Sequence, residues 1–486
     1  MPDKTDFYRR LNIGTGASED AIKKAYRLAA RKAHPDVNKN DGATQLFLDI
    51  QEAYKILSDP NRKDNYDQGR NPFDSSSGVL TALEYSQEAL LKLEEPQVIY
   101  SLVDIVSTKD ELKISDDLPL NISLVLDNST SMKGPRLDIL RAATKEIIND
   151  LGEDDLVSVI SFNDRAKVLL SSQSQPTEVQ IETALNDLYA EGGTEIFQGL
   201  EAGYEEIRKH PTLNYVNHII LITDGHTYGD EENCIALANS AADQDIGISG
   251  LGIGIEWNDE FIDQLSALTG GQSLFIHDLK QVKEFLEHSI ASLKEAFSRR
   301  VTLEIIPAPG VTMLSAFRIL PEAIPLPSQE VFSLGILKKH KPHRVLFEFL
   351  VNPIPKNIDQ AVIASGEYVI KKKIRDQIIP FTLDRMITTD PESIEPPPTE
   401  IFKAISHLTF YRLQEKAQQD IASGNPGTAY QRLLNLSSHL MAKGEDALAK
   451  IAMNEADYIK SHNNFSPTGK KKLKYGTIRL LLPDKT

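Results

Sequence analysis

The chain has 486 residues, with 53 Lys and Arg against 70 Asp and Glu and a formal net charge of −17 at pH 7. That acidity excludes non-specific nucleic-acid binding, and an apolar fraction of 41% with 7% aromatic residues excludes intrinsic disorder. A single cysteine, Cys234, excludes an internal disulfide and a cysteine-based zinc site; beside Ile235 and Leu237 in an apparent helix it reads as core filler. The length predicts about three domains. No charged-then-apolar leader is present and no uninterrupted apolar run is long enough to span a bilayer, so a cytoplasmic protein without a membrane partner is expected.

Asp6-Phe7-Tyr8 to Leu11 reads as a short leading helix. Ser18-Glu19-Asp20 then opens a second helix with a capping residue and two carboxylates, where the helix dipole favours negative charge. Lys23, Lys24, Arg27, Arg31 and Lys32 follow along it; Lys23, Arg27 and Arg31 fall four apart on one basic face, while Ile22, Ala25 and Ala29 mark the other. His34-Pro35-Asp36 is a helix-ending turn. Phe47, Ile50, Tyr54 and Leu57 recur at spacings of three and four and predict a further helix, which Ser58-Asp59-Pro60 ends. Two such helices around a charged loop make an antiparallel hairpin.

The runs "KKAYRLAARKAHPD" and "FLDIQEAYKILSDPNRKDNYD" closely resemble the DnaJ family over about residues 4 to 70. The resemblance implies a J-domain over residues 1–70. Its basic helix (Lys23, Lys24, Arg27, Arg31, Lys32) would dock on the ATPase of a DnaK-type heat-shock chaperone, and His34, Pro35 and Asp36 would reach that chaperone's nucleotide-domain interface. A positive stripe steers toward an acidic partner, and a rigid proline turn presents its residues with little ordering entropy. No glycine/phenylalanine-rich linker or paired Cys-x-x-Cys clusters follow, so client choice must lie further along the chain.

Asn71 to Gly78 reads as a short linker, with a helical stretch around Leu80 to Leu93 ending at Pro96, so that residues 71–96 are linker and helix. Beyond about residue 118, short apolar runs alternate with amphipathic segments. Ile122 to Leu126, Leu156 to Phe162, Ile219 to Thr223, Ile246 to Ile255 and Ser273 to Ile276 read as buried strands. Arg136 to Leu151, Val179 to Leu188, Ile196 to Lys209, Glu231 to Asp243 and Asp259 to Leu268 read as helices. This alternation predicts a parallel sheet with helices on both faces and ligands at the carboxyl ends of its strands.

Three loops at those ends carry matched oxygens: Asp127-Asn128-Ser129-Thr130-Ser131, Gly192-Gly193-Thr194 and Thr223-Asp224-Gly225. Over residues 118–297 the chain resembles the von Willebrand factor A family, whose metal-ion-dependent adhesion site is Asp-x-Ser-x-Ser, then Thr, then Asp. The resemblance implies that Ser129 and Ser131 coordinate a metal through their hydroxyls and that Thr194 does so directly or through water. Asp127 and Asp224 would act mostly through water and hydrogen bonds. Mg²⁺ suits this donor set, with Mn²⁺ or Ca²⁺ as alternatives. Neutral hydroxyls leave the ion's charge under-compensated, which invites a Glu or Asp from a protein client. For hydrolysis the local candidates are His226 and Glu195; His226 reads as an exposed loop residue and Glu195 as a helix-start carboxylate. Gly250-x-Gly252-x-Gly254 lacks the dinucleotide pattern and reads as strand termination.

Residues 97–117 and 298–390 alternate apolar and polar side chains and predict the two parts of one β-sandwich into which the A-type domain is inserted, as in stand-alone bacterial proteins that this part also resembles. Residues 396–464 turn helical (Ile401 to Ala422, Gly427 to Lys443, Glu445 to Ser461), a three-helix unit reminiscent of tetratricopeptide hairpins but without a fixed repeat. The tail, residues 465–486, is basic and then apolar and reads as docked rather than membrane-anchored.

The fold class is therefore multidomain α and α/β: an N-terminal helical J-domain, a doubly wound parallel-sheet domain inserted in a β-sandwich, and a C-terminal helical bundle. The function expected is a non-enzymatic co-chaperone adaptor that captures a client at the metal site. The alternatives are a scaffold subunit of a AAA-type ATPase assembly and a metal-dependent hydrolase.

Overall fold

The computed structural model describes residues 11, 19–33, 50, 53–54, 57–58, 79–107, 118–225, 227, 229–254, 257–276, 281–355, 358, 360–373, 376–391, 396–466 and 468–481. The chain divides into two compact units, Met1–Thr81 and Ala82–Thr486.

In the first unit, α1 (Glu19–Ala33) buries Ile22 against Leu11, Ile50, Ala53 and Leu57, with Ala25, Tyr26, Ala29 and Ala30 packed around them. These positions recur every three or four residues, so burial of one stripe is what holds so short a helix. The rings of Tyr26 and Tyr54 stack with centroids 4.0 Å apart, and Ser58 N donates to Tyr54 O (2.8 Å) at the end of the facing helical segment. Ser18, Phe47, Asp59 and Pro60 lie outside the described residues.

The second unit holds a six-stranded sheet and two five-stranded sheets. In the six-stranded sheet, β4 (Leu120–Asp127), β5 (Leu156–Phe162), β7 (Val216–Thr223), β8 (Ile246–Ile253) and β9 (Ser273–Ile276) run parallel. An edge strand β6 (Ala166–Gln173) adds antiparallel to β5; only Leu170 of it is fully buried, so it lacks the long apolar run of the inner strands. The strand order is β6-β5-β4-β7-β8-β9. Ile122, Leu124 and Leu126 of β4 face α2 (Pro135–Asn149), α3 (Glu178–Asn186) and α7 (Gln281–Lys294), the last a helix not anticipated. Val125 faces α4 (Ile196–Arg208), α5 (Glu231–Asp243) and α6 (Asp259–Thr269). Strands buried on both faces read as continuous apolar runs, which is why β4, β5, β7 and β8 were legible; β9, expected to be buried, is a half-exposed edge strand with Leu274 41% exposed. Gly199 and Gly203 let α4 lie directly on the sheet: a Cβ there would come within 2.6 Å of Phe162 and 2.7 Å of Val125. Cys234 is fully buried in α5, and burial pushes its thiol up.

The helix anticipated over Leu80 to Leu93 is instead two strands, β1 (Val79–Tyr85) and β2 (Ala89–Leu91). Val79, Thr81, Leu83 and Tyr85 alternate as a strand requires, and sheet edges waiting in the sandwich override the local preference of Leu, Ala and Glu for helix. One five-stranded sheet has the order β1-β3-β14-β11-β12, built with β3 (Gln97–Ser107), β11 (Val311–Leu320), β12 (Ile324–Pro325) and β14 (His343–Val351). The other is β13-β10-β15-β16-β2, built with β10 (Arg300–Pro307), β13 (Val331–Gly335), β15 (Gln360–Lys371) and β16 (Gln377–Thr388). Strands from before and after the α/β domain pair directly: β3 on β14 from Gln97↔Val351 to Ile105↔His343, and β2 parallel to β16. The α/β domain is thus an insertion in a β-sandwich.

Four helices close the unit: α8 (Thr399–Ala422), α9 (Pro426–Ala442), α10 (Asp446–His462) and α11 (Gly469–Leu480). The basic tail is the last of these. Lys471 Nζ donates to Trp257 O (2.5 Å), and the buried Lys474 ammonium lies between Asp259 (2.7 Å) and Asp263 (2.6 Å). Those carboxylates hold Lys474 above the ordinary lysine range and outweigh its burial. No helix among the described residues is long and apolar enough to cross a membrane.

Two buried histidines tie stability to pH. His218 shares a 2.8 Å hydrogen bond with Ser249 Oγ, and His343 Nε2 donates to Ile336 O (2.7 Å); burial, together with nearby Arg300 and Arg318 respectively, pushes each down to about 3. A folded pKa below the unfolded value means the unfolded chain binds the extra proton, so the contribution is full above about 6.5 and lost as pH falls toward 3. Between about pH 7 and about pH 5 each histidine should cost on the order of 2 kcal/mol. Urea unfolding midpoints measured at the two pH values should fall accordingly; unchanged midpoints would contradict it.

Candidate metal centre

Asp127 is the last residue of β4 and is fully buried. Its Oδ1 accepts from Ser129 N (2.8 Å) and its Oδ2 from the Thr223 hydroxyl (2.6 Å), at the end of neighbouring strand β7. Burial raises Asp127 to about 6, against the opposing pull of the Thr223 and Ser129 hydrogen bonds. Ser129 Oγ lies 2.9 Å from Ser131 Oγ, and Ser131 Oγ donates to Asp224 Oδ1 (2.7 Å). The other oxygen of Asp224 takes the Arg136 guanidinium, which also donates to Ser131 O (3.3 Å).

The second loop is fixed by backbone. Thr130 donates from N (3.2 Å) and from Oγ1 (2.9 Å) to Gly192 O, Gly193 N donates to Asp164 Oδ1 (3.0 Å), and Glu195 N to Asn163 O (2.8 Å). Gly192 has φ +71°, a conformation glycine adopts without strain. Thr194 is buried and its Oγ1 is 3.2 Å from where a Cβ on Gly225 would sit, so it lies beside the third loop without a hydrogen bond to another described residue.

The structure therefore brings Asp127, Ser129, Ser131 and Asp224 into one hydrogen-bonded chain and sets Thr194 at its side. All five donors are hard oxygens, as Mg²⁺, Mn²⁺ or Ca²⁺ would require. At Mg–O lengths near 2.1 Å, neighbouring ligands of an octahedron sit roughly 2.9 Å apart, close to the 2.9 Å and 2.7 Å between Ser129, Ser131 and Asp224 oxygens. The residues fit a small divalent cation. Among the described residues no cluster of three or more His, Cys, Asp or Glu offers a metal site.

Two contributors were not singled out from sequence. Thr223 was legible only as the end of a strand; its role depends on β7 lying beside β4. Arg136 was legible as a helix residue, and its position just after Gly134-Pro135 is the only hint that it starts a helix beside the loop. Glu195 is the residue preceding α4 and makes no side-chain capping hydrogen bond. His226 lies outside the described residues, as do His34, Pro35 and Asp36. On α1, Lys24 and Arg27 are exposed and Lys23 is half-buried, while the side chains of Arg31 and Lys32 lie outside the described residues.

Comparison with known proteins agrees with both halves. The DnaJ domain model matches residues 6–67, and the von Willebrand factor type A domain model matches residues 121–288. The chain is a DnaJ-type J-domain fused to a von Willebrand factor A domain. Residues 399–483 match a third model, the Sll0103-like C-terminal alpha-helical domain. A Synechocystis protein described as uncharacterized protein sll0103 is 28% identical over 388 residues, 75% of this chain and 89% of that protein. The chaperone protein DnaJ of Erysipelothrix rhusiopathiae is 51% identical over 79 residues, and that of Staphylococcus epidermidis 52% over 65. These matches span only 21% and 17% of the DnaJ proteins. Among solved structures, a von Willebrand factor type A protein from Catenulispora acidiphila superposes with a TM-score of 0.66 at 17% identity, covering 82% of this chain and 96% of that one. The ArnB paralog VWA2 from Sulfolobus acidocaldarius gives 0.51 at 14% identity, covering 83% and 98%. Both share the fold.

The Thr223–Asp127 hydrogen bond yields a test. Thr223→Val keeps the strand and its shape but leaves a buried carboxylate oxygen without its donor, which should cost about 1–3 kcal/mol. Denaturant unfolding in the presence of chelator reads this directly; a stability within error of the native chain would show that the bond contributes nothing.

Proposed function

We propose that this protein is a co-chaperone adaptor: the A-type domain captures a protein client through a divalent cation, and the J-domain presents that client to a DnaK-type chaperone while stimulating its ATPase. The observation that carries the reading is the position of Ser131 Oγ, 2.9 Å from Ser129 Oγ in its own loop and 2.7 Å from Asp224 Oδ1 in a loop 93 residues away. Asp127 and Asp224 would hold the cation with the three hydroxyls of Ser129, Ser131 and Thr194. A cation so held keeps positive charge to offer, and a client Glu or Asp is the ligand that satisfies it. The bound ion would supply that electrostatic anchor, and the residues around it would orient it.

The chaperone-facing half rests on α1. Lys24 and Arg27 are exposed on one side while Ile22 is buried on the other, so the helix can present a basic face without disturbing its core. With Lys23, Arg31 and Lys32 on the same helix and His34-Pro35-Asp36 after it, the sequence matches the docking elements of the DnaJ family. The share of the chain resembling DnaJ is confined to this module, so client choice is assigned to the A-type domain.

Two variants separate the halves. His34→Gln should abolish stimulation of a DnaK-type ATPase while leaving client capture intact; undiminished stimulation would refute the chaperone role. Ser129→Ala/Ser131→Ala should weaken Mg²⁺ binding by about 100-fold or more in calorimetric titration and remove the Mg²⁺-dependent proteins captured from lysate. Identical Mg²⁺ affinity and identical captured proteins would refute the adhesion site.

A further inference from the structure

A second polar centre lies at the opposite end of the α/β domain, where the amino ends of β7 and β8 meet the sandwich. A cavity of about 40 Å³ is enclosed there by β7, β8, the loop after α6, α7 and strands of both sandwich sheets. That is room for roughly three waters, or for one compact tetrahedral anion, and far too little for a nucleotide.

Its wall is cationic. Arg300 is 2% exposed, Lys338 5% and Arg299 6%, and all three line the cavity. Arg300 Nη2 donates to Thr269 O (2.7 Å), but its Nε is buried without a protein partner, and no carboxylate among the described residues comes within ion-pairing distance of it. Arg299 pairs with Asp245 at 3.4 Å and Asp376 at 3.7 Å and donates to Lys372 O (3.3 Å), yet its Nε is buried without a partner. Asp245 is held more closely by Lys371, at 2.7 Å. Lys338 has one carboxylate near it, Glu322 at 3.8 Å, whose Oε1 already accepts from Gln272. Ser289 Oγ and His343 Nδ1, both lining the same space, are buried without partners as well.

Burying a guanidinium costs several kcal/mol unless a counter-charge and hydrogen bonds offset it, and buried polar atoms are almost always paired. Here Arg300 has no carboxylate partner among the described residues and Lys338 only a distant one, and three side chains, Arg300, Arg299 and Ser289, present unpaired donors around the cavity. A doubly charged tetrahedral anion meets both demands: it offsets the excess charge and accepts several charge-assisted hydrogen bonds at once. We infer that this cavity binds a small tetrahedral oxyanion of the inorganic phosphate class, which ties the base of the inserted domain to the sandwich. Arg300 and Lys338 supply the charge, and Arg299 and Ser289 complete the donor set.

The test uses the full chain and inorganic phosphate. Thermal unfolding and calorimetric titration in phosphate should show saturable binding and a raised melting temperature relative to sodium chloride at matched ionic strength. Arg300→Gln removes the charge with a polar side chain left in place, and should weaken phosphate binding about 10- to 100-fold. Lys338→Gln repeats the measurement at a residue that need not support the fold, and should weaken binding in the same direction. The inference is overturned if the native chain melts at the same temperature in both salts with no heat of binding, or if both variants keep the native phosphate response.

Discussion

Strand β4 is the constraint on which the metal centre depends. It lies between β5 and β7, pairs parallel with both, and is buried along its whole length. Its register, Asp127 opposite Phe162 and Leu126 opposite Ile222, ends all three strands at the same level. The loops that leave them have nowhere to go but into one another. Ser131 and Asp224 are 93 residues apart in sequence and 2.7 Å apart in space for that reason alone. A parallel sheet with helices on both faces always gathers its loops this way, and the oxygens of this chain sit where that gathering is densest.

The same domain is anchored from two other directions. Its ends continue into a sandwich whose strands come from both sides of the insertion, β3 pairing with β14 and β2 with β16. From the outside, α11 lays Tyr475 against Trp257 and Phe275, with ring centroids 6.3 and 6.0 Å apart, and buries Lys474 between two carboxylates of α6. A buried ammonium so paired adds orientation more than net stability, because desolvation consumes much of the attraction. Trp257 follows the β8–α6 turn, and Gly254 in that turn lies close enough to Arg136 that a Cβ would be 3.3 Å from its guanidinium.

The two compact units divide the labour that an adaptor needs. The first carries a basic helix on a small core of Leu11, Ile22, Ile50, Ala53 and Leu57. The second carries a rigid scaffold with polar chemistry at each end of one sheet: hydroxyls and carboxylates at the carboxyl ends, arginines and a lysine at the amino ends. Charge of opposite sign at the two ends is carried by these side chains.

By itself the sequence determined whatever depends on neighbours a few residues away or on burial of one stripe. Four buried strands announced themselves as apolar runs, α1 and the three long C-terminal helices as periodic stripes, and Asp127, Ser129, Ser131, Thr194 and Asp224 as loop residues at predicted strand ends. Tertiary structure alone decided the rest. Val79–Tyr85 became a strand because a sheet edge was available, against a local composition that also suits helix. Thr223 and Arg136 acquired their roles from strands and helices brought together across the sheet. Arg300, Lys338 and His343 line one cavity where the sandwich meets the base of the inserted domain, and no local pattern encodes a contact between segments so far apart in the chain.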